Sequence, residues 1–227
     1  MTQIAQQLAA VRSRIVRACD GAGRPAADVK LLAVSKTFGA DAVRAAAAAG
    51  QRDFGENYLQ EALDKQSLLG DLDLIWHFLG PLQSNKTRAV AEHFHWVHSV
   101  SRLKIAQRLS EQRPDALPPL QVCVQVNISG EASKSGCAPA DVLALCRAVA
   151  ALPRLQLRGL MAIPEPASPG SDVRAPYSAL RALQDSMNGF EPALDTLSGG
   201  MSDDLEAAIA EGSTIVRVGT AIFGRRG

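Results

Sequence analysis

The stretch Leu31-Leu32-Ala33-Val34-Ser35-Lys36-Thr37 decides how the chain is read. Apolar runs of about four to eight residues bounded by polar ones read as buried strands of a parallel sheet. Side chains alternate faces along a strand, so Lys36 shares its face with Leu32 and Val34. If that face points inward, the ammonium stands at the mouth of a core. Partial loss of water lowers a lysine's pKa, and the neutral amine is the form that attacks an aldehyde to give a Schiff base. The plainer alternative is a lysine at a strand end that reaches water.

Working outward, Ile4, Leu8, Val11, Ile15 and Ala18 fall at helical spacing and predict a helix before this strand. Further strands are expected at 52–55, 74–79, 96–100, 120–128, 155–162, 194–197 and 214–218. Helical patterns cover 41–50, 57–69, 85–93, 102–112, 139–152, 177–187 and 203–211, with a last turn at 221–223. Residues 164–176, rich in Pro, Ser and Gly, read as a long mobile loop. Eight strand–helix units demand a parallel sheet with helices outside, and eight is the closure number of the (β/α)8 TIM barrel. Such barrels run to roughly 200–250 residues as one domain. The 227 residues therefore predict a single α/β barrel domain over 1–227, with an extra N-terminal helix. An open doubly wound sheet is the competing architecture, but no Gly-x-Gly-x-x-Gly follows the first strand.

Composition narrows the function classes. With 24 basic and 23 acidic residues the net charge is +1, which leaves no electrostatic footprint for nucleic acid or an anionic membrane. The first twenty residues carry Arg12, Arg14 and Arg17 and lack an uncharged apolar core, so neither a signal peptide nor a membrane span is expected. Cys19, Cys123, Cys137 and Cys146 show no C-x-x-C spacing and read as reduced thiols of a cytoplasmic protein. His93, His95 and His98 lie close together without a carboxylate or cysteine to complete a metal set, so no metal is expected. A monomer is expected, because no apolar stripe is left over once the outer helices pack on the barrel.

Barrels of this kind carry chemistry on the loops after the strands, and phosphate is frequently held after strands seven and eight. Ser198-Gly199-Gly200-Met201-Ser202-Asp203-Asp204 follows strand seven: glycines allow close backbone approach, and Ser202 offers a hydroxyl before a helix start. Asp203 and Glu206 also match a capping box, the plain reading of the same stretch. After strand eight, Gly219 and Thr220 add backbone N–H groups and a hydroxyl. Closure would bring strand eight beside strand one, so Lys36 and this cup face each other across a gap the size of a small phosphorylated aromatic aldehyde. That placement points to pyridoxal 5'-phosphate. Arg217 shares a face with Ile215 and Gly219 and is expected to enter the barrel mouth, where burial demands a partner. An arginine hardly ever gives up its proton, so it would donate to an unprotonated pyridine nitrogen, and an unprotonated ring is a poor electron sink. The alternative is a pair with a carboxylate such as Glu56. Asn57, after strand two, is placed to reach the ring oxygen or the Schiff-base region. His77 reads as a satisfied core histidine or, less simply, a catalytic base. Lys134 reads as solvated or as a second amine near the mouth.

The motifs Leu32-Ala33-Val34-Ser35-Lys36-Thr37, Phe54-Gly55-Glu56-Asn57-Tyr58 and Trp76-His77-Phe78-Leu79-Gly80-Pro81-Leu82-Gln83-Ser84-Asn85-Lys86 stand in this order with three others. These are Leu160-Met161-Ala162-Ile163-Pro164, Gly200-Met201-Ser202-Asp203-Asp204 and Arg217-Val218-Gly219-Thr220-Ala221-Ile222-Phe223-Gly224. Together they resemble the pyridoxal phosphate homeostasis proteins (the YggS/PROSC family) over nearly the whole chain. The resemblance implies a barrel like the N-terminal domain of alanine racemase, with pyridoxal phosphate held as an aldimine on Lys36. It also implies Arg217 at the pyridine nitrogen and phosphate at Ser202, Gly219 and Thr220. Family members are thought to store or deliver the cofactor, with apo enzymes as recipients and no robust turnover. Many bacterial relatives carry a second lysine where this chain has Phe38, and lysine-rich tails where it has Arg225-Arg226-Gly227, which leaves Lys134 as the candidate for any hand-over. An amino-acid racemase is the competing function, but it needs a second base, and the tyrosines here are Tyr58 and Tyr177. A cofactor-free Schiff-base aldolase ranks last, having no use for paired anion cups.

Overall fold

A computed structural model describes residues 2–130, 135–165, 171–187, 189–191 and 193–224. After α1 (Gln3–Gly21), β1 (Lys30–Val34) and α2 (Ala40–Ala48) begin an alternation that runs through β2 (Asp53–Glu56), α3 (Leu59–Leu68), β3 (Ile75–Phe78) and α4 (Thr87–His93). It continues through β4 (Trp96–Val100), α5 (Leu103–Gln112), β5 (Leu120–Gln125), α6 (Val142–Ala150), β6 (Leu155–Met161) and α7 (Ala175–Asp185). It ends with β7 (Thr196–Ser198), α8 (Leu205–Ala210), β8 (Ile215–Val218) and the short α9 (Thr220–Phe223). The strands form a closed barrel in chain order. β8 lies parallel to β1, with Leu32 opposite Arg217 and Ala33 opposite Val218.

Alternation along each strand divides the core in two. Outward residues such as Ala33, Phe54 and Val97 pack beneath the helices, while Leu32, Val34, Leu79, Trp96, Cys123, Met161 and Ile215 fill the barrel. The inner cluster is small because His77, His98, Ser198 and Arg217 are also fully or almost fully buried.

Three local expectations are corrected. β1 ends at Val34, and Ser35 to Thr37 leave the strand in a turn in which Thr37 takes φ 70°. β5 stops at Gln125 rather than running to 128, because Val126 forms only an isolated bridge with Cys137, whose carbonyl takes the Asn127 N–H. The helix placed at 203–211 starts at Leu205, with Asp204 at its N-cap and no side-chain capping bond. Glu206, the presumed capping partner, forks instead onto Arg14. Of the expected loop at 164–176, residues 166–170 lie outside the described residues.

Candidate functional site

The site is built around the turn that carries Lys36, which is half-buried. Its neighbours on both sides are fixed by one ionic network. The Ser35 hydroxyl donates to Glu56 Oε1 (2.6 Å), and the Thr37 N–H donates to Glu61 Oε1 (2.5 Å). Lys65 joins the two carboxylates, donating to Glu56 (2.7 Å), Glu61 (2.6 Å) and the Ser35 carbonyl (2.7 Å). Glu56 and Lys65 are both buried, and burial raises the Glu56 carboxyl above its ordinary value despite the hydrogen bonds from Lys65 and Ser35. A β-branched residue at positive φ costs about 1–3 kcal/mol and persists only where surroundings over-determine it. Glu61 and Lys65 supply that constraint at Thr37.

The other half of the site lies across the β1–β8 seam. Gly219 follows β8 against the end of β1, so close that a Cβ there would stand 3.0 Å from the Val34 carbonyl oxygen. Ser202 lies ahead of α8, which begins at Leu205. Its Oγ accepts the Ala221 N–H at 3.3 Å, which joins the β7 and β8 loops into one cup and leaves the hydroxyl hydrogen for another acceptor. The cup is braced from behind. Arg14 of α1 donates to the Ser202 carbonyl (3.0 Å), while Asp204 accepts the Met201 N–H (2.6 Å) and the Tyr177 phenol (2.6 Å). Phe38, just past Lys36, lies 5.2 Å from Phe223 of α9, centroid to centroid. The lysine turn is thus stapled to the cup on both sides of Lys36.

Arg217 points into the barrel and is 5% exposed. Among the described residues its hydrogen bonds reach no carboxylate; it donates to Ser198 Oγ (2.8 Å) and the Ala162 carbonyl (2.8 Å), while Glu56 pairs with Lys65. Asn57 is half-buried after β2, its backbone packed against Gly80, where a side chain would collide with it. Lys36, Asn57, Ser202, Arg217, Gly219 and Thr220 therefore gather at or near the C-terminal ends of β1, β2, β7 and β8. Lys134, with Arg225, Arg226 and Gly227, lies outside the described residues.

Sequence reasoning missed several participants. Glu61 and Lys65 stand at helical spacing for an ion pair, but their closure on Glu56 and the Lys36 turn needs the fold. His98, weighed only as a metal ligand, and Ser198, read only as part of the loop after strand seven, meet in a pairing the sequence did not disclose: His98 Nδ1 lies 2.8 Å from Ser198 Oγ across 100 residues of sequence. His77 is satisfied on both ring nitrogens, by His98 (2.9 Å) and Asp53 (3.1 Å). Among the described residues no group of His, Cys, Asp and Glu is arranged to hold a metal ion, and no helix is long and apolar enough to cross a membrane.

These features define a parallel barrel of the alanine racemase N-terminal type, and the family model "Alanine racemase, N-terminal domain" matches residues 6–227. The chain is 66% identical over 226 residues to the pyridoxal phosphate homeostasis protein of Pseudomonas aeruginosa, covering 100% of this chain and 97% of that one. It is 54% identical over 232 residues to the protein of the same name from Escherichia coli K12, covering 100% and 98%. The chain belongs to the pyridoxal phosphate homeostasis protein family. PipY of Synechococcus elongatus PCC7942, solved with PLP bound, superposes with a TM-score of 0.84 at 40% identity over 97% of this chain and 100% of PipY. Alanine racemase from Corynebacterium glutamicum shares the fold alone, with a TM-score of 0.68 at 20% identity over 99% of this chain and 61% of the racemase.

Proposed function

We propose that this chain holds pyridoxal 5'-phosphate and serves its homeostasis by storage, buffering or delivery, without robust catalysis. The observation that carries the reading is the seam itself: a half-buried lysine turn bound at Val34 and Phe38 to a cup made by Ser202, Gly219 and Thr220. The donor set fits the cofactor. Lys36 supplies the amine that adds to the aldehyde carbon with loss of water; Ser202, Gly219 and Thr220 supply donors to the phosphate, and Asn57 a polar group near the ring. Arg217, buried and held by neutral partners, offers the ring nitrogen a hydrogen bond without a proton, which disfavours the electron withdrawal that most chemistry of this cofactor requires. The names of the relatives and the cofactor bound to PipY support this reading. We take residues 1–227 to act as one cytoplasmic, monomeric unit whose recipients are apo enzymes using the same cofactor.

Borohydride reduction of the purified, cofactor-loaded protein followed by peptide mass spectrometry tests the linkage. The adduct is expected on Lys36 and absent from Lys36→Ala; an adduct on another lysine moves the site. Turnover tests the non-catalytic part. Alanine racemisation by the isolated protein at about 1 per second, near the low end for enzymes, sinks the carrier reading.

A further inference from the structure

Through the middle of the barrel runs a line of polar groups that the cofactor site alone does not explain. Arg217 Nη1 is 2.8 Å from Ser198 Oγ, Ser198 Oγ 2.8 Å from His98 Nδ1, His98 Nε2 2.9 Å from His77 Nδ1, and His77 Nε2 3.1 Å from Asp53 Oδ1. Asp53 stands at the start of β2, at the opposite end of the barrel from the cup, where Lys30 also donates to it at 2.9 Å.

The two ends fix the direction of every bond between them. An ionised carboxylate only accepts and a guanidinium only donates, whereas a neutral imidazole does one of each. Asp53 must therefore receive the His77 Nε2 proton, which makes His77 Nδ1 an acceptor for His98 Nε2–H. His98 Nδ1 is then an acceptor as well, so the Ser198 hydroxyl must donate to it. That turns a Ser198 lone pair to Arg217. Burial pushes His77 down to about 4 and His98 well below its ordinary value, consistent with both rings staying neutral. Burial is also the largest influence on the Asp53 carboxyl and acts upward, but hydrogen bonds from His77 and Lys30 bring it below its ordinary value.

We propose that Asp53, His77, His98 and Ser198 form a one-way hydrogen-bond chain that positions Arg217 for the ring of the bound cofactor. The proposal rests on the cofactor reading above and extends it to residues that touch no ligand. A serine that had to donate to Arg217 is impossible, so a reversed chain would lose this anchor. With the Ala162 carbonyl as second anchor, one N–H on each terminal nitrogen is engaged and the guanidinium plane is set, leaving its remaining donors for the ring. These four are positioning residues.

Two measurements test it. In histidine-15N-labelled protein without cofactor, long-range proton–nitrogen spectra at pH 7 are expected to show His77 and His98 neutral with the proton on Nε2. A proton on Nδ1 of either ring, or a charged ring, overturns the chain whether or not any variant folds. In Ser198→Ala, borohydride should still trap the adduct on Lys36, with pyridoxal phosphate affinity down roughly tenfold, as for one lost hydrogen bond to a charged group, and the visible band displaced. Ser198→Thr, which keeps the hydroxyl, should restore both. Unchanged affinity and spectrum in Ser198→Ala overturn the positioning role. Absence of any adduct in the wild type overturns the cofactor reading and the role given to Arg217 with it; the tautomers, read without cofactor, tell that failure from failure of the chain.

Discussion

Glu56 and Lys65 are a buried pair whose members cannot be removed singly without cost. Lys65→Met strands the Glu56 carboxylate in the interior and should destabilise the fold by about 3–5 kcal/mol, the usual penalty for breaking a buried pair. Urea unfolding measures this, and Lys65→Met with Glu56→Gln should recover part of the loss; a single-variant cost under about 1 kcal/mol would mean that solvent replaces the lysine. The same network fixes Ser35 and Thr37, so Lys65→Met should also slow adduct formation at Lys36. His77 gives a pH dependence of definite sign. Burial holds it at about 4 against an ordinary value of 6.5, so the unfolded chain takes up the proton first as pH falls. Its contribution is present in full above 6.5, declines below that, and is gone once pH has dropped through 4. At about 1.4 kcal/mol per pKa unit this one ring accounts for roughly 3 kcal/mol. The unfolding free energy should therefore fall more steeply between pH 7 and 4.5 in the wild type than in His77→Gln, and parallel slopes would show the ring charged or solvated.

Single elements show what sequence can and cannot disclose. The eight strands are readable because buried parallel strands are near-continuous apolar runs, and their closure in chain order puts Val34, two residues before Lys36, against Gly219. Their ends are less readable, since tertiary partners decide them. β1 stops short of Lys36 because Glu56 and Glu61 capture Ser35 and Thr37. The capping box at Asp203 and Glu206 fails because Tyr177 and Met201 hold Asp204 while Arg14 takes Glu206. Partner choice inside the barrel is least readable of all: pairing Arg217 with Ser198 rather than a carboxylate depends on which inward side chains share a level. The most telling element is α1, whose Arg14 reaches both Glu206 and the Ser202 carbonyl. This pair is partly exposed, with side chains 29% and 49% accessible, so Arg14→Ala should cost less than about 1 kcal/mol of stability. Its effect should appear in the cup instead, as severalfold weaker binding of pyridoxal phosphate with the Lys36 adduct still formed. Equilibrium dialysis beside urea unfolding separates the two, and equal losses in both would reduce Arg14 to a general stabiliser.

At the scale of the whole barrel, the site lies across the joint that closes the sheet. β8 meets β1 there, and the proposed ligand would touch the loop after β1 at one end and the loops after β7 and β8 at the other. A molecule spanning that joint binds the closed barrel and has no counterpart in the unfolded chain, so its affinity is converted directly into stability. At a free concentration one hundred times the dissociation constant the gain is about 2.7 kcal/mol. For a chain of this size each kcal/mol raises the melting temperature by about 2–4 °C, so loading should add roughly 5–10 °C. Inorganic phosphate at the same multiple of its own dissociation constant gives the same gain if it too binds only the folded chain, so matched saturation cannot show how much of the site is used. Matched concentration can: phosphate reaches the cup alone, lacks the ring and the Lys36 linkage, and should shift the melt far less. Scanning calorimetry of stripped, phosphate-treated and reloaded protein compares the three. A reloaded protein that melts with the phosphate-treated one would mean that the lysine turn and Arg217 add nothing to the grip of the cup, and that the seam does not work as one site.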